Sequence, residues 1–312
     1  MKILRSLDEL APSAQGGAVS IGNFDGVHLG HARLAGQVVT AARQRHRPAV
    51  IFTFDPHPAQ LLRPNLAPAR LTWLERKSQL LERLGIDYLI VYPTSLALLE
   101  WPPQTFFEII VQQALRASVL VEGPNFCFGK DRQGDIHLLK RLCQEANVEL
   151  VVCPPVEVDG QMVSSSRVRR LLGCGDVAAA NRLLTEPYRI RGQVVPGAGR
   201  GQAIGVPTAN LSGVDTLLPA AGVYAGRVYW RDNRWPAAIH IGPNPTFGEG
   251  HSKVEVHLIG FQGELYGQWL EVDFCQRLRD TQTFASVSDL QAQLQRDIQQ
   301  AASLLENQVY AS

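Results

Sequence analysis

The segment Ile21-Gly22-Asn23-Phe24-Asp25-Gly26-Val27-His28-Leu29-Gly30-His31 decides how the first half of this chain folds. An apolar run at 17–22 leads into it, and Leu34, Val38 and Ala42 recur behind it at helical spacing. The segment therefore reads as a strand-to-helix turn. Its glycines let the backbone approach a ligand closely. The helix N-terminus offers free N–H groups and a partial positive charge, which suit a phosphate. His28 and His31 stand three positions apart, so both can face one phosphate chain. Imidazoles there can donate hydrogen bonds to oxygens that gain charge as an α-phosphate is attacked. Read alone, the segment is equally a tight turn with two surface histidines.

Working outward, apolar runs at 49–54, 87–92, 118–122 and 148–153 predict further strands, with helical signals between them. Thr72 with Glu75 and Thr105 with Glu108 read as capping boxes, and Gly85 sits where the first of these helices should stop. Strands alternating with helices predict an α/β domain, a parallel sheet with helices on both faces and ligands beyond the strands' carboxyl ends. Two short helices follow at 166–172 and 176–184, split by Gly173 and Gly175. From Pro187 the pattern changes. Strands are expected at 188–195, 223–230, 235–241, 253–259 and 269–274, with a turn at Asp232-Asn233, which predicts a small antiparallel β-barrel. A closing helix carries the stripe Leu290, Leu294, Ile298, Ala301 and Leu305. With 312 residues the chain fits two domains, and the change of pattern puts them at 1–186 and 187–312.

Composition narrows the function. Lys plus Arg is 30 against 29 for Asp plus Glu, a balance that argues against a general nucleic-acid binder but leaves room for a local phosphate site. The five cysteines form no CxxC pair and read as reduced thiols, as in a cytoplasmic protein. No apolar run reaches the roughly 18 residues of a membrane span, and the N-terminus lacks a secretory apolar region. The partners expected are small molecules, with neither nucleic acid nor membrane; oligomeric state is not legible.

Further chemistry-bearing elements follow the first turn. They are Phe52-Thr53-Phe54-Asp55-Pro56-His57-Pro58, Glu122-Gly123-Pro124-Asn125-Phe126-Cys127-Phe128-Gly129-Lys130 and Ser164-Ser165-Ser166-Arg167-Val168-Arg169. Phe54, Pro56, Pro58, Phe126 and Phe128 can wall a flat ring or simply belong to the core. Asn125 can bond a phosphate or shape a turn. The serines can donate hydroxyls or cap a helix, and Arg169 can brace a phosphate. His57 reads as structural. Taken together, the HxGH turn and these elements resemble the FAD-synthetase branch of the nucleotidyltransferases. That resemblance implies a Rossmann-like domain transferring AMP from ATP to FMN. It assigns ATP to Gly22, Phe24, Asp25, Gly26, His28, Gly30, His31, Ser164, Ser165, Ser166 and Arg169, and FMN to the aromatic, proline and Asn125 positions. The family often carries Asp where this chain has Asn125.

The second half resembles the riboflavin kinases. A glycine-rich stretch, 192–210, contains Gly197, Gly199, Gly201 and Gly205 and ends in Gly-Val-Pro-Thr208-Ala-Asn210. Its N–H groups can wrap an ATP phosphate, and Thr208 and Asn210 are hard oxygen donors suited to Mg²⁺; a glycine-rich hairpin or linker is the other reading. Ile241-Gly242-Pro243-Asn244-Pro245-Thr246-Phe247 and Val254-Glu255-Val256-His257-Leu258 follow in family order. Strand alternation puts Glu255 and His257 on one face, away from Val254 and Val256. The resemblance makes Glu255 the base that accepts the riboflavin 5′-hydroxyl proton. Arg279 and Phe284 match an element that lies near the flavin. Asn244 replaces a usual Arg, and Thr281 and Thr283 replace a usual Glu and Lys. The whole chain is thus similar to the prokaryotic bifunctional riboflavin kinase/FMN adenylyltransferase family, with ATP, riboflavin, FMN and FAD as substrates and products and Mg²⁺ as cofactor. The rivals are an enzyme adenylylating another phosphorylated precursor, and a flavin-binding regulator without kinase activity. The kinase-like half opposes the first, and Thr208, Asn210 and Glu255 oppose the second.

Overall fold

In the computed structural model, residues 1–197, 199, 201, 205–244 and 249–307 are described. The chain divides into Met1–Ala69 with Trp73–Ser164, and Arg70–Thr72 with Ser165–Ser312.

The first unit runs β1 (Lys2–Leu4), β2 (Ala18–Ile21), α1 (Leu29–Gln44), β3 (Ala49–Asp55), α2 (Pro58–Leu62), α3 (Leu74–Arg83), β4 (Tyr88–Pro93), α4 (Leu96–Leu99) and α5 (Pro103–Phe106). A π-helix (Phe107–Ala114), β5 (Val119–Glu122), α6 (Ile136–Glu145), β6 (Glu149–Val152) and a small hairpin, β7 (Glu157–Val158) with β8 (Gln161–Met162), complete it. Six strands form one parallel sheet in the order β1-β4-β3-β2-β5-β6. All of β2 and most of β3 is buried, as strands covered on both faces must be. Alternation along β3 serves two cores. Ala49 and Ile51 pack with Ala35, Val38 and Ala42 of α1, and Val50 and Phe52 with Phe106, Ile110 and Leu139 on the other face.

The expected strands of this unit all form, within one residue of the predicted limits, whereas three strands of the second unit run up to five residues past theirs, at 233–244, 249–258 and 269–279. β1 and the β7–β8 hairpin were too short to read. Both capping boxes are corrected. α3 starts at Leu74 with Trp73 in the N-cap position, and α5 starts at Pro103, so Thr105 lies inside it. A proline at the first helical position starts a helix without help from a threonine. Gly85 does stop α3. At φ +88° it donates to Glu82 O while Ile86 donates to Leu81 O, a Schellman closure.

The second unit opens with α7 (Ser165–Gly173) and α8 (Val177–Asn181). Then come β9 (Arg189–Val195), β10 (Ala209–Ser212), β11 (Gly222–Trp230), β12 (Asn233–Asn244), β13 (Glu249–Leu258), β14 (Trp269–Arg279) and α9 (Val287–Asn307). The strands close an antiparallel barrel in the order β10-β13-β12-β11-β14-β9. Its interior holds alternate residues, among them Ile190, Leu211, Tyr224, Ile239, Val256 and Phe274. Outside, α9 sets Ala301 and Leu305 against Ala225 and Cys275. The stripe read from the sequence faces inward, but Asp297 is buried on that side too, bound to Arg279. α7 and α8 are tied to the barrel. Leu172 O accepts from Ala220 N, and Asn181 bonds both Phe274 O and Tyr188 N.

Candidate active sites

The strand order places the first site. From β2 the chain moves to β3 on one side, and from β5 to β6 on the other, so the switch point lies between β2 and β5. These two strands pair only through Ala18↔Val119 and Val19↔Leu120. Beyond that the ladder is replaced by a side chain, Glu122 Oε1 accepting from Ile21 N at 2.7 Å. Burial pushes the Glu122 carboxyl well above its ordinary range, against the opposing Ile21 N–H and Ser20 hydroxyl.

The turn after β2 takes left-handed backbone at Phe24 (φ 46°), Gly26 (φ 86°) and Val27 (φ 40°). For Phe and Val that conformation costs of order 1–3 kcal/mol each. Their burial, 2% and 0% exposed, holds them there. Two more groups fix the turn, Lys77 Nζ (2.7 Å) and Thr53 Oγ1 (3.2 Å), both donating to Asn23 O. His28 caps α1, its Nδ1 accepting from His31 N at 3.3 Å. With Nδ1 as acceptor, the neutral ring carries its proton on Nε2. His28 and His31 stack at 3.6 Å between centroids, with Phe24 4.9 Å from His31. Burial first, then His28, then Lys77, hold His31 well below an ordinary histidine, so it is neutral at pH 7. His31 Nδ1 and Asn23 Oδ1 are buried without a hydrogen-bond partner among the described residues. Such atoms beside a helix N-terminus suit a polar ligand.

The aromatic residues cluster. Phe54 lies 6.4 Å from Phe106, Phe106 lies 6.1 Å from Phe128, and Phe128 stacks on Phe126 at 5.5 Å. Phe128 is core, while Phe54 and Phe126 keep part of their surface in solvent. The loop carrying Pro56 is pinned by Thr94 Oγ1 donating to Pro56 O. Pro58 opens α2, and His57 caps that helix by accepting from Ala59 N, a structural role. Asn125 is exposed, its Nδ2 3.9 Å from Met162 Sδ. Gly22 and Gly30 flank the turn. Ser164 ends the first unit, and Ser165, Ser166 and Arg169 lie on α7 of the second.

In the second unit the glycine-rich loop lies against Thr208 and Asn210. A Cβ on Gly197 would sit 2.1 Å from Asn210 Nδ2, and one on Gly201 would sit 2.4 Å from Val206 O and 3.3 Å from Thr208 Oγ1. Gly199 and Gly205 take positive φ instead. Residues 198, 200 and 202–204 lie outside the described residues, as do Pro245, Thr246, Phe247 and the side chain of Asn244. Asn210 stands directly opposite Glu255, and Glu255 opposite His240. These three residues form a row across β10, β13 and β12, on the face away from the barrel core. His240 Nδ1 is 3.5 Å from Glu255 Oε2. His257 shares that face, but its Nδ1 donates to Pro207 O at 2.8 Å. Arg279 binds Asp297 through Nε and Nη2 (3.0 and 2.7 Å), with its guanidinium 5.8 Å from the Phe284 ring. Among the described residues no group of three or more His, Cys, Asp or Glu could hold a metal.

Sequence reasoning missed Lys77, Glu122, Phe106 and His240. Only His240 left a usable signal, since it alternates with Ile239 and Ile241 as Glu255 does with its valines.

A stacked histidine pair at a helix N-terminus on one fold, and a polar row against a glycine loop on the other, are arrangements that suit phosphate ligands, and the class this combination points to is a two-domain transferase. The FAD synthetase family pattern matches residues 10–167 and the riboflavin kinase pattern residues 184–305. The bifunctional riboflavin kinase/FMN adenylyltransferase of Escherichia coli K12 is 35% identical over 299 residues, 95% of this chain and 96% of that protein. That of Pseudomonas fluorescens is 35% identical, covering 97% and 98%. A Streptococcus pneumoniae structure described as a macrolide-efflux protein superposes with a TM-score of 0.84 at 30% identity, covering 95% of this chain and 96% of that one. The chain belongs to the bifunctional riboflavin kinase/FMN adenylyltransferase family. No helix among the described residues is long and apolar enough to cross a membrane.

Proposed function

We propose that the His28–His31 turn carries FMN adenylylation and that the row of Asn210 and Glu255, with Thr208, carries riboflavin phosphorylation. The chain is an enzyme of FAD biosynthesis with both activities. In the first reaction an FMN phosphate oxygen attacks the α-phosphorus of ATP and pyrophosphate leaves. The N–H groups at the start of α1 and His28 Nε2–H would meet charge growing on the α-phosphate oxygens, a reading supported by His28 capping that helix through Nδ1. Lys77 and the neutral His31 frame the same turn. Phe54, Phe126 and the prolines supply apolar surface for the flavin ring. The 164–169 element is assigned to ATP on family resemblance.

In the second reaction Glu255 takes the riboflavin 5′-hydroxyl proton as that oxygen attacks the γ-phosphorus and ADP leaves. Thr208 and Asn210 offer neutral hard oxygens against a glycine loop, with no carboxylate cluster among the described residues, a set that fits Mg²⁺ held mainly by substrate phosphates. Bound there, the ion would neutralise charge on the β- and γ-phosphates. Arg279 and Phe284 are assigned to the flavin side. Five free cysteines support a cytoplasmic setting.

The observation that carries this reading is the stacked histidine pair at a helix N-terminus on the switch point of a parallel sheet. The test measures pyrophosphate release with FMN and ATP, and ADP release with riboflavin and ATP, separately. Both should appear: FMN should give pyrophosphate without ADP, and riboflavin should give ADP first, with pyrophosphate following as FMN forms.

A further inference from the structure

On the outer face of the barrel, Glu255 lies between Asn210 on β10 and His240 on β12, each in direct cross-strand register with it. Directly opposed residues of an antiparallel pair bring their Cβ atoms to about 5 Å, close enough for side chains to interact. The His240 and Glu255 side chains are 22% and 20% exposed, so the pair is partly withdrawn from water. The imidazole spans two neighbours. Its Nδ1 points to Glu255 Oε2 at 3.5 Å, and its Nε2 would lie 3.8 Å from a Cβ on Gly242. The other histidine of this face, His257, is committed to Pro207 O.

We propose that His240 is a positioning residue for riboflavin phosphorylation, its Nδ1–H holding Glu255 Oε2 so that Oε1 is presented to the substrate hydroxyl. The inference rests on the reading of Glu255 as the base. A glutamate has three side-chain torsions, and freezing them costs conformational entropy. A base free to rotate on a barrel's outer surface meets that cost at each turnover. A neighbour fixed on the adjacent strand meets it in advance. The separation in the free enzyme is longer than a good hydrogen bond, and such contacts tighten when substrate fills the site. The proton balance is simple. The 5′-O–H bond breaks as a Glu255 Oε1–H bond forms, the 5′-oxygen bonds the γ-phosphorus, the bridging bond to ADP breaks, and Glu255 returns its proton to solvent. His240 neither gains nor loses a proton.

The test compares His240→Leu, His240→Asn and Glu255→Gln, with the double variant His240→Leu/Glu255→Gln, in the full chain. FMN adenylylation in the same preparations counts intact chain, and circular dichroism melts check that the barrel is folded. His240→Leu should lower the kcat of phosphorylation roughly tenfold or more, the scale of a misplaced catalytic group, with the KM for riboflavin unchanged. Asparagine places an amide N–H where imidazole has Nδ1, so His240→Asn should recover most of the loss. The double variant should be no slower than Glu255→Gln alone. Wild-type kcat in His240→Leu would overturn the proposal, as would a loss carried by KM, no recovery in His240→Asn, or additive losses in the double variant. Full turnover in Glu255→Gln is a different failure, one that removes the base itself.

Discussion

His28 and His31 stack within 3.6 Å while the first ring caps the helix that carries the second. On the proposed mechanism His28 has two duties, capping the start of α1 and donating through Nε2–H. Replacing it by alanine removes both, and loss of a cap costs about 1 kcal/mol. Asparagine is a good cap without an imidazole. We expect His28→Asn to melt close to wild type yet form FAD from FMN roughly a hundredfold more slowly, the scale of a lost transition-state donor. His31→Ala should show a similar loss. Riboflavin phosphorylation should persist in both. Wild-type FAD formation in both variants would remove the histidines from the mechanism.

Glu122 gives a pH signature. Its folded carboxyl titrates well above the ordinary 4.5 because burial penalises the charge. Between the unfolded and folded values, the folded state holds the extra proton. Stability therefore falls as pH rises through that window, and the loss is constant above it. Glu122→Gln keeps an acceptor for Ile21 N–H without the charge. Its melting temperature relative to wild type should climb with pH from about 4.3 upward and then level. A difference independent of pH would show that Glu122 does not titrate this way.

Arg279 and Asp297 form a partly buried pair between β14 and α9, and breaking such a pair by removing one partner costs about 3–5 kcal/mol. Asp297→Ala should therefore destabilise the second unit by that amount in denaturant melts and raise the KM for riboflavin, since the guanidinium loses its anchor. FMN adenylylation at a temperature where the protein stays folded should be unaffected.

The contacts of α7 and α8 bear on where the chain can be cut. A fragment beginning at Ser165 keeps Leu172 and Asn181 against the barrel, whereas one beginning at Pro187 exposes the surfaces they cover. Both should phosphorylate riboflavin, and the longer should melt higher. Equal melting temperatures would mean that the two helices add nothing to the barrel.

Much of this was legible beforehand because alternation is a strong signal. The β2 and β3 runs show as short continuous apolar stretches, and the barrel strands other than β10 and the α9 stripe follow from periods of 2 and 3.6. What escaped did so for physical reasons. β10 has four residues behind a stretch of Gly and Pro, too few to show a period. Glu122 at a strand end looks like a solvated residue until the sheet order puts it between two splayed strands. Asp297 sits on an apolar stripe, where pattern reading assigns charges to the far side, and only its pairing with Arg279 explains the burial. His240 was passed over because its partner is set by barrel register, which no single strand reveals.

The most direct measurement is a time course with riboflavin and MgATP, resolving riboflavin, FMN and FAD by chromatography for wild type, His28→Asn and Glu255→Gln. Wild type should form FMN and then FAD, His28→Asn should accumulate FMN with little FAD, and Glu255→Gln should form almost no FMN yet still convert added FMN to FAD. Tight flavin binding with no turnover in wild type, or FAD from riboflavin at the wild-type rate in both variants, would overturn these assignments.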